Sequence, residues 1–105
     1  MTTQNSVVSH DNMSAVLLSK ERSVLSEEAF FEIVIWQVPA PVPGSAHLYK
    51  YRLALVVKGE CVLRYDNERG KGDHRHVGEH EEPITFSSLD DLLIAFQQDI
   101  ERMAL

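Results

Sequence analysis

Residues 65–76 hold an unusual concentration of ionisable side chains. These positions contain two histidines, three cations, three carboxylates and two glycines. Three of the chain's five histidines, His74, His76 and His80, fall within seven positions. Charged side chains and histidine resist burial unless they are paired, and functional groups are often found on loops that a rigid scaffold holds. We therefore expect this segment to take part in the function of the protein.

General acid–base catalysis is the first chemistry that this composition supports. His74 and His76 can gain or lose a proton near neutral pH. The cations Arg69, Lys71 and Arg75 could bind a phosphate and stabilise the charge of a pentacoordinate transition state. Cleavage of RNA without a metal needs a base for the 2′-hydroxyl, an acid for the leaving oxygen and cations around the phosphorane. A metal-independent ribonuclease is therefore the leading interpretation.

Two other interpretations of the segment stay open. His74, His76 and His80, with Asp66 or Asp73, could bind Zn²⁺ or Mn²⁺. Their spacing matches no strong metal signature, and we predict neither a metal nor another cofactor. Alternatively, the charges could pair with one another and have no catalytic role.

The composition indicates a single globular domain. The chain has 105 residues, 44% of them hydrophobic and 25% charged, which are ordinary values for one domain. Its apolar runs are too short to span a bilayer, and its beginning does not resemble a signal peptide, so we predict a cytoplasmic protein. We expect residues 1–12 to be a disordered arm and residues 13–105 to form one domain. The lone Cys61 lies in an apolar strand pattern, which favours a buried position.

The net charge of −6 is unevenly distributed. Residues 1–39 carry −3, residues 40–78 carry +3 and residues 79–105 carry −6. The basic middle could face a polyanion such as RNA. It could equally pair with the acidic last third of the same fold.

The sequence predicts an α+β fold, with an antiparallel β-meander of three to four strands and a C-terminal helix packed on one face. Residues 15–18 indicate a short strand, and residues 29–38, rich in β-branched and aromatic side chains, indicate an internal one. A proline-rich loop follows. Residues 47–58 and 60–66 form a predicted hairpin. One long polar loop, which contains the histidine-rich segment, is predicted to follow this hairpin.

Side-chain parity assigns the two faces of this hairpin. A three-residue turn, residues 57–59, places the apolar set on one face. That set is Tyr49, Tyr51, Leu53, Leu55, Cys61, Leu63 and Tyr65. The basic set, Lys50, Arg52, Arg64 and Asp66, then shares the other face. Tyr51, Tyr65 or Trp36 could stack on an RNA base, although the pattern favours core positions for all three.

The last element is predicted to be an amphipathic helix. Ser88 is the expected N-cap, and Asp91 follows it at the spacing of a capping box. Apolar side chains recur at a helical period and form one stripe: Leu89, Leu92, Leu93, Phe96, Ile100 and Met103. We expect this stripe to cover the sheet.

Several of these motifs together resemble the TumE family, small toxins of bacterial toxin–antitoxin operons. The resemblance covers roughly residues 13–103. It is carried by the segments Trp36-Gln-Val-Pro-Ala-Pro-Val-Pro-Gly-Ser45, Tyr51-Arg52, residues 65–76, and Phe86-Ser-Ser-Leu89 before a helix with Phe96 and Asp99. The motif match implies functional roles for Asp66, Asn67, Lys71, His74 and His76.

The resemblance implies a toxin neutralised by a co-encoded antitoxin, typically a helix-turn-helix protein. Ribonuclease activity is an analogy with other small toxins. We predict catalytic roles for Asp66, Lys71, His74 and His76, and substrate-binding roles for Arg52, Arg64, Asn67, Arg69 and Arg75. His74 and His76 are the expected acid and base. We expect RNA as a possible ligand and no membrane association. The sequence leaves the oligomeric state open, and a homodimer is one of the alternatives. The alternatives are a metal-dependent hydrolase or nucleotidyl-modifying enzyme, and a non-catalytic module that binds RNA or protein.

Overall fold

The computed structural model describes residues 15–103, which form one antiparallel sheet and one helix. In chain order the elements are β1 (Val16–Val24), β2 (Ala29–Gln37), β3 (Tyr49–Val57), β4 (Glu60–Glu68), β5 (Gly72–Val77), β6 (His80–Pro83) and α1 (Leu89–Arg102). Each strand pairs with the next, so the sheet order follows the chain order. The predicted α+β meander is confirmed. The predicted count of three to four strands is wrong, because the described part of the chain has six. The predicted arm, residues 1–12, lies outside that part.

The strands β5 and β6 lie where the sequence suggested a long polar loop. A turn at residues 69–71 follows β4, and β5 then pairs with β4 in a continuous register. The sequence of β5 lacks the alternation of apolar and polar residues that predicts a strand, because both of its faces carry polar or charged side chains. Each face meets partners on other elements, so the polar composition does not prevent strand formation. The first strand is also longer than expected, since β1 extends to Val24.

The β3–β4 hairpin has a shorter turn than predicted, and a bulge in β4 gives most of its side chains the predicted faces. Its turn has two residues, Lys58 and Gly59, with φ of 52° and 80°, and Val57 pairs with Glu60. The predicted three-residue turn is therefore wrong. A bulge at Val62 adds the odd residue instead, because Val56 pairs with Cys61 while Leu55 pairs with Leu63.

The bulge returns the remainder of β4 to the expected parity. Leu53 then pairs with Tyr65 and Arg52 pairs with Asp66, so the predicted apolar and basic faces are confirmed from Leu63 onward. Cys61, which lies before the bulge, is exposed. Its predicted buried position is wrong because the register changes after it.

Two glycines bring the proline-rich loop against the start of β5. A Cβ on Gly72 would lie 2.6 Å from the carbonyl oxygen of Gly44, and a Cβ on Gly44 would lie 2.7 Å from the amide nitrogen of Gly72. Both residues also have positive φ, 77° and 102° respectively, a region that favours glycine. The backbones can therefore meet only because neither residue has a side chain.

The helix α1 covers one face of the sheet. The core comprises Ile35, Tyr51, Leu53, Leu55, Leu63, Tyr65, Leu92 and Phe96. The Phe96 ring makes edge-to-face contacts with Phe31 and Tyr65. The predicted cap is confirmed, since the Ser88 side chain accepts a hydrogen bond from the Asp91 amide at 3.0 Å. The predicted apolar stripe lies in or against this core.

The opposite side of the sheet, here named the open face, carries the polar set. Across β3, β4 and β5 its side chains include Lys50, Arg52, Arg64, Asp66, His74 and His76. No helix or strand among residues 15–103 packs on it. The helix α1 has 14 residues, and the described chain contains no helix long and apolar enough to cross a membrane.

Candidate functional site on the open face of the sheet

Strand pairing brings five of the predicted site residues together. On the open face His74 lies opposite Asp66, and His76 lies opposite Arg64. Arg52 pairs with Asp66 from the other side. Because strands in a sheet are about 4.8 Å apart, these side chains form one continuous patch. His74 and His76 lie on the same side of β5, with ring centroids 6.5 Å apart, so one phosphodiester could contact both.

The Asp66 carboxylate is the buried centre of this patch. Its side chain is 10% exposed, and Oδ2 lies 3.1 Å from Nε of Arg64. The other oxygen, Oδ1, lies 3.7 Å from Nε2 of His76. Neither Oδ1 nor the Arg64 Nε has a hydrogen-bond partner among the described residues, although both atoms are buried. A buried polar atom without a hydrogen-bond partner costs about 1–3 kcal/mol, and the ion pair between Arg64 and Asp66 at 3.1 Å offsets part of this cost.

The contacts of the two histidines define different protonation patterns. Nδ1 of His74 lies 3.1 Å from the Gly72 carbonyl. A carbonyl only accepts, so this nitrogen donates and the neutral ring keeps an unprotonated Nε2. Nε2 of His76 lies 3.1 Å from Nη2 of Arg64, which only donates, so the neutral His76 ring accepts there. Glu81 lies 3.5 Å from the same nitrogen. A protonated His76 therefore has two carboxylates within reach, those of Asp66 and Glu81.

Asn67 is one of two predicted site residues whose side chains lie on the helix side. It is fully buried, its Oδ1 accepts from the Tyr51 amide at 3.0 Å, and its Nδ2 donates to the Tyr49 carbonyl at 2.7 Å. These bonds hold β4 to β3 beyond the regular ladder. Asn67 thus supports the scaffold rather than reaching the open face.

Arg75 is the second such residue. Its Nε donates to Asp99 of α1 at 2.7 Å, and its Nη1 donates to Glu82 of β6 at 2.8 Å. The Tyr65 hydroxyl also donates to Asp99. Burial opposes ionisation of Asp99, but the hydrogen bonds from Arg75 and Tyr65 outweigh it and hold the pKa of this carboxyl below its usual value. Arg75 therefore ties β5 to the helix.

The cations Arg69 and Lys71 lie in the exposed turn between β4 and β5. Lys71 lines a cavity of about 340 Å³ together with His47, Asp73 and Phe86. This cavity adjoins the proline-rich loop and the segment before α1, so Lys71 does not share the patch around Asp66. A substrate that extended past the start of β5 could still reach both cations.

Sequence reasoning assigned no role to His47, which the structure places on Asp73. The Asp73 carboxylate accepts from the Ser45 hydroxyl, from Nε2 of His47 and from the Tyr51 hydroxyl, each at 2.7 Å. The Tyr49 amide donates to Nδ1 of His47 at 3.1 Å. Both ring nitrogens are thus occupied, which assigns His47 to holding the loop. A separation of 26 residues left no signal in the sequence for this pair.

The Asp73 cluster also changes the acidity of its members. Burial opposes ionisation of Asp73, but the hydrogen bonds from Tyr51, His47 and Ser45 keep its pKa below the usual value. Burial, followed by the bond to Asp73, raises the pKa of the Tyr51 hydroxyl. The cluster therefore holds one charged carboxylate and one neutral phenol at neutral pH.

A second use of the open face is suggested by its carboxylates. Asp66, Glu68 and His76 each offer one ligand atom, and these atoms lie within 4.8 Å of one another. The unpartnered Oδ1 of Asp66 suits a divalent cation, whereas the neighbouring Arg64 guanidinium repels one. His80 does not belong to this group, since its side chain is 70% exposed and lies 3.5 Å from Glu82.

Comparison with known proteins supports the resemblance seen in the sequence. The model of the family described as Toxin TumE matches residues 2–104, nearly the whole chain. No curated protein shows significant similarity to the chain. No solved structure does so either.

Proposed function

The chain belongs to the toxin TumE family, and on this basis we propose that it is a toxin that cleaves RNA without a metal ion. The open face supplies the groups that this reaction needs: two histidines, a buried carboxylate and adjacent arginines. The observation that carries the proposal is the position of His74 and His76 on the same side of β5, with ring centroids 6.5 Å apart, beside Asp66. The unpartnered Oδ1 of Asp66 is the acceptor that this chemistry can use.

In the proposed reaction His74 is the base and His76 is the acid. The free Nε2 of His74 takes the proton of the 2′-hydroxyl, and the 2′-oxygen attacks phosphorus to give a 2′,3′-cyclic phosphate. The P–O5′ bond breaks, and protonated His76 delivers its proton to the leaving 5′-oxygen. Protonation at Nε2 of His76 breaks the bond that this nitrogen accepts from Arg64 Nη2 at 3.1 Å. The carboxylates of Asp66 and Glu81, at 3.7 and 3.5 Å from the same nitrogen, can then orient the charged ring.

The cations have graded roles in this proposal. Arg64 and Arg52 bind the scissile phosphate and stabilise the phosphorane. Arg52 is exposed and forms no ion pair with residues 15–103, so it is available to a substrate. Arg69 and Lys71 contact the part of the RNA that extends beyond the start of β5. We assign Asn67 and Arg75 to supporting the scaffold, because their side chains already bind other parts of the fold.

Cleavage of labelled RNA by the purified protein tests this proposal. We expect cleavage that persists in EDTA and falls at least about 100-fold in His74→Ala and in His76→Ala, the usual size of an acid–base contribution. His80→Ala is the matched control, since this histidine lies away from the patch and is 70% exposed. Folded His74→Ala and His76→Ala variants that cleave like the wild type would contradict the assignment.

A metal-dependent hydrolase is the second candidate, favoured by the grouping of Asp66, Glu68 and His76. Glu68 separates the two candidates because it belongs to the possible metal site and has no part in the metal-free reaction. Activity that requires added Mn²⁺ or Zn²⁺ and is lost in Glu68→Gln would favour the metal. EDTA-resistant activity in Glu68→Gln would favour the metal-free reaction.

Membership of a toxin family implies an antitoxin as partner. We propose that this partner is of the helix-turn-helix type and that both proteins act in the cytoplasm. Multiple turnover on RNA would separate an enzyme from a module that only binds RNA or protein.

A further inference from the structure

Trp36 lies on the open face, although the sequence favoured a core position for it. Its neighbour Ile35 is 3% exposed and belongs to the core, whereas Trp36 is 38% exposed. Alternation along β2 accounts for the difference, because Ile35 pairs with Tyr51 on the helix side while Trp36 pairs with Lys50. Trp36 is also the chain's single tryptophan.

Three cations lie near Trp36 on this face, and the apolar Leu17 lies across from it on β1. Lys50 lies directly across from it on β3. In the adjacent row Val34 lies between Lys20 and Arg52. These positions around Trp36 contain three cations and no carboxylate. An exposed aromatic ring among cations is the combination by which proteins bind single-stranded nucleic acid.

The strand register places Trp36 within reach of the proposed catalytic pair. Val34, Arg52, Asp66 and His74 form one row across β2 to β5, which spans about 14 Å at about 4.8 Å per strand. Trp36 lies two residues along β2 from this row, so it is about 16 Å from His74 at about 3.4 Å per residue. At a stacked rise of about 3.4 Å, this distance corresponds to at most about five nucleotides.

We propose that the open face binds single-stranded RNA across the strands, with one unpaired base stacked on Trp36. Arg52 contacts the intervening backbone, and the scissile phosphate lies at His74 and His76. This inference rests on the proposed ribonuclease function and adds the class of substrate. A base in a duplex has no free face to offer the indole, so the stacked position discriminates against double-stranded RNA.

The fluorescence of Trp36 tests the proposal directly, because no other tryptophan contributes to the signal. The probe is an RNA octamer with 2′-methoxy groups, which lacks the attacking hydroxyl and remains intact while binding is measured. We expect quenching by the single strand and little quenching by the same octamer in a duplex.

Substitutions at Trp36 provide a second readout with a dye-labelled octamer. We expect about tenfold or greater weakening of binding in Trp36→Ala, the lower range of one stacked base, and binding close to wild type in Trp36→Phe. The control is Ile94→Ala, a similarly exposed apolar side chain (52%) on α1, which should bind like the wild type.

The outcomes separate this inference from the proposed function. RNA cleavage without quenching by the single strand would overturn the stacking position and leave the ribonuclease proposal intact. Equal quenching by the duplex would also overturn it. So would quenching by the antitoxin with no quenching by the single strand. Quenching by the single strand without any cleavage would support the binding surface and count against the ribonuclease proposal.

Discussion

Removing the Asp73 carboxylate should loosen the proline-rich loop and destabilise the whole domain. This side chain is 7% exposed and accepts hydrogen bonds from Ser45, His47 and Tyr51, each at 2.7 Å. Hydrogen bonds to a charged group contribute about 1.5–3 kcal/mol each, and they are not additive. Relief from burying a carboxylate offsets part of the loss. We therefore expect Asp73→Ala to lower the free energy of unfolding by about 3 kcal/mol.

Urea unfolding at neutral pH measures this loss. Tyr51→Phe removes only one of the three donors and should cost about 1–2 kcal/mol, which gives a smaller effect if Asp73→Ala fails to fold. Glu79→Ala is the control, because Glu79 is exposed in the turn between β5 and β6 and a surface change of this kind stays within about 0.5 kcal/mol.

The pH dependence provides a check on the cause. The folded state keeps the pKa of Asp73 low, so its contribution is fully present above the unfolded value of about 3.9. The contribution is lost as the pH falls from there through the folded pKa. The difference between wild type and Asp73→Ala should thus shrink below about pH 4. A loss under about 1 kcal/mol at neutral pH, or one unchanged at pH 3, would refute the reasoning.

Two further predictions concern the backbone contact and the buried acid–phenol pair. Gly72→Ala should lower the free energy of unfolding by about 2 kcal/mol or more, because its Cβ would lie 2.6 Å from the Gly44 oxygen. Gly70→Ala is the control, since Gly70 also has a positive φ of 83° but no atom lies within 4 Å of its Cβ, and it should lose less stability in the same urea assay. Equal losses in the two variants would rule out the contact as the cause. Burial and the bond to Asp99 raise the pKa of Tyr65 to about 12, so its stabilisation is complete below about pH 10 and is lost as the pH rises through the folded value. The low pKa of Asp99 produces the opposite loss in acid. Tyr65→Phe should flatten the alkaline limb of the stability curve, and it should also reduce the loss in acid, because the Tyr65 bond helps to lower the pKa of Asp99. An unchanged alkaline limb would exclude this pair as its source.

Much of the open face could be predicted from strand parity. Once Leu53, Leu63 and Tyr65 are assigned to the core, alternation places Arg52, Arg64 and Asp66 together on the other side. The structure confirms this grouping. The device that maintains it could not be predicted, because a bulge and a three-residue turn give the same parity beyond Leu63. The two alternatives differ for Cys61, which lies before the bulge. The prediction was wrong at this residue, because Cys61 is exposed.

The identity of β5 was hidden by partners far away in the chain. Arg75 turns inward because Asp99, 24 residues later, supplies a buried carboxylate on α1. Asp73 turns inward because His47 and Tyr51, 26 and 22 residues earlier, donate to it. A sequence read locally shows these residues as polar, which argues for a loop. Only the tertiary partners allow them to be buried in a strand.

The ionisable residues within 65–76 form two sets, because alternate residues of a strand lie on opposite faces of the sheet. The even-numbered members Asp66, His74 and His76 reach the open face, where Asp66 retains an unpartnered oxygen. The odd-numbered members Asp73 and Arg75 make hydrogen bonds to the proline-rich loop and to α1. Because neighbouring residues in a strand point to opposite faces, fixing the odd set in the scaffold also fixes the direction of the even set. The rigid inner network thus holds the proposed catalytic histidines in place without using any of their own polar atoms that a substrate would need.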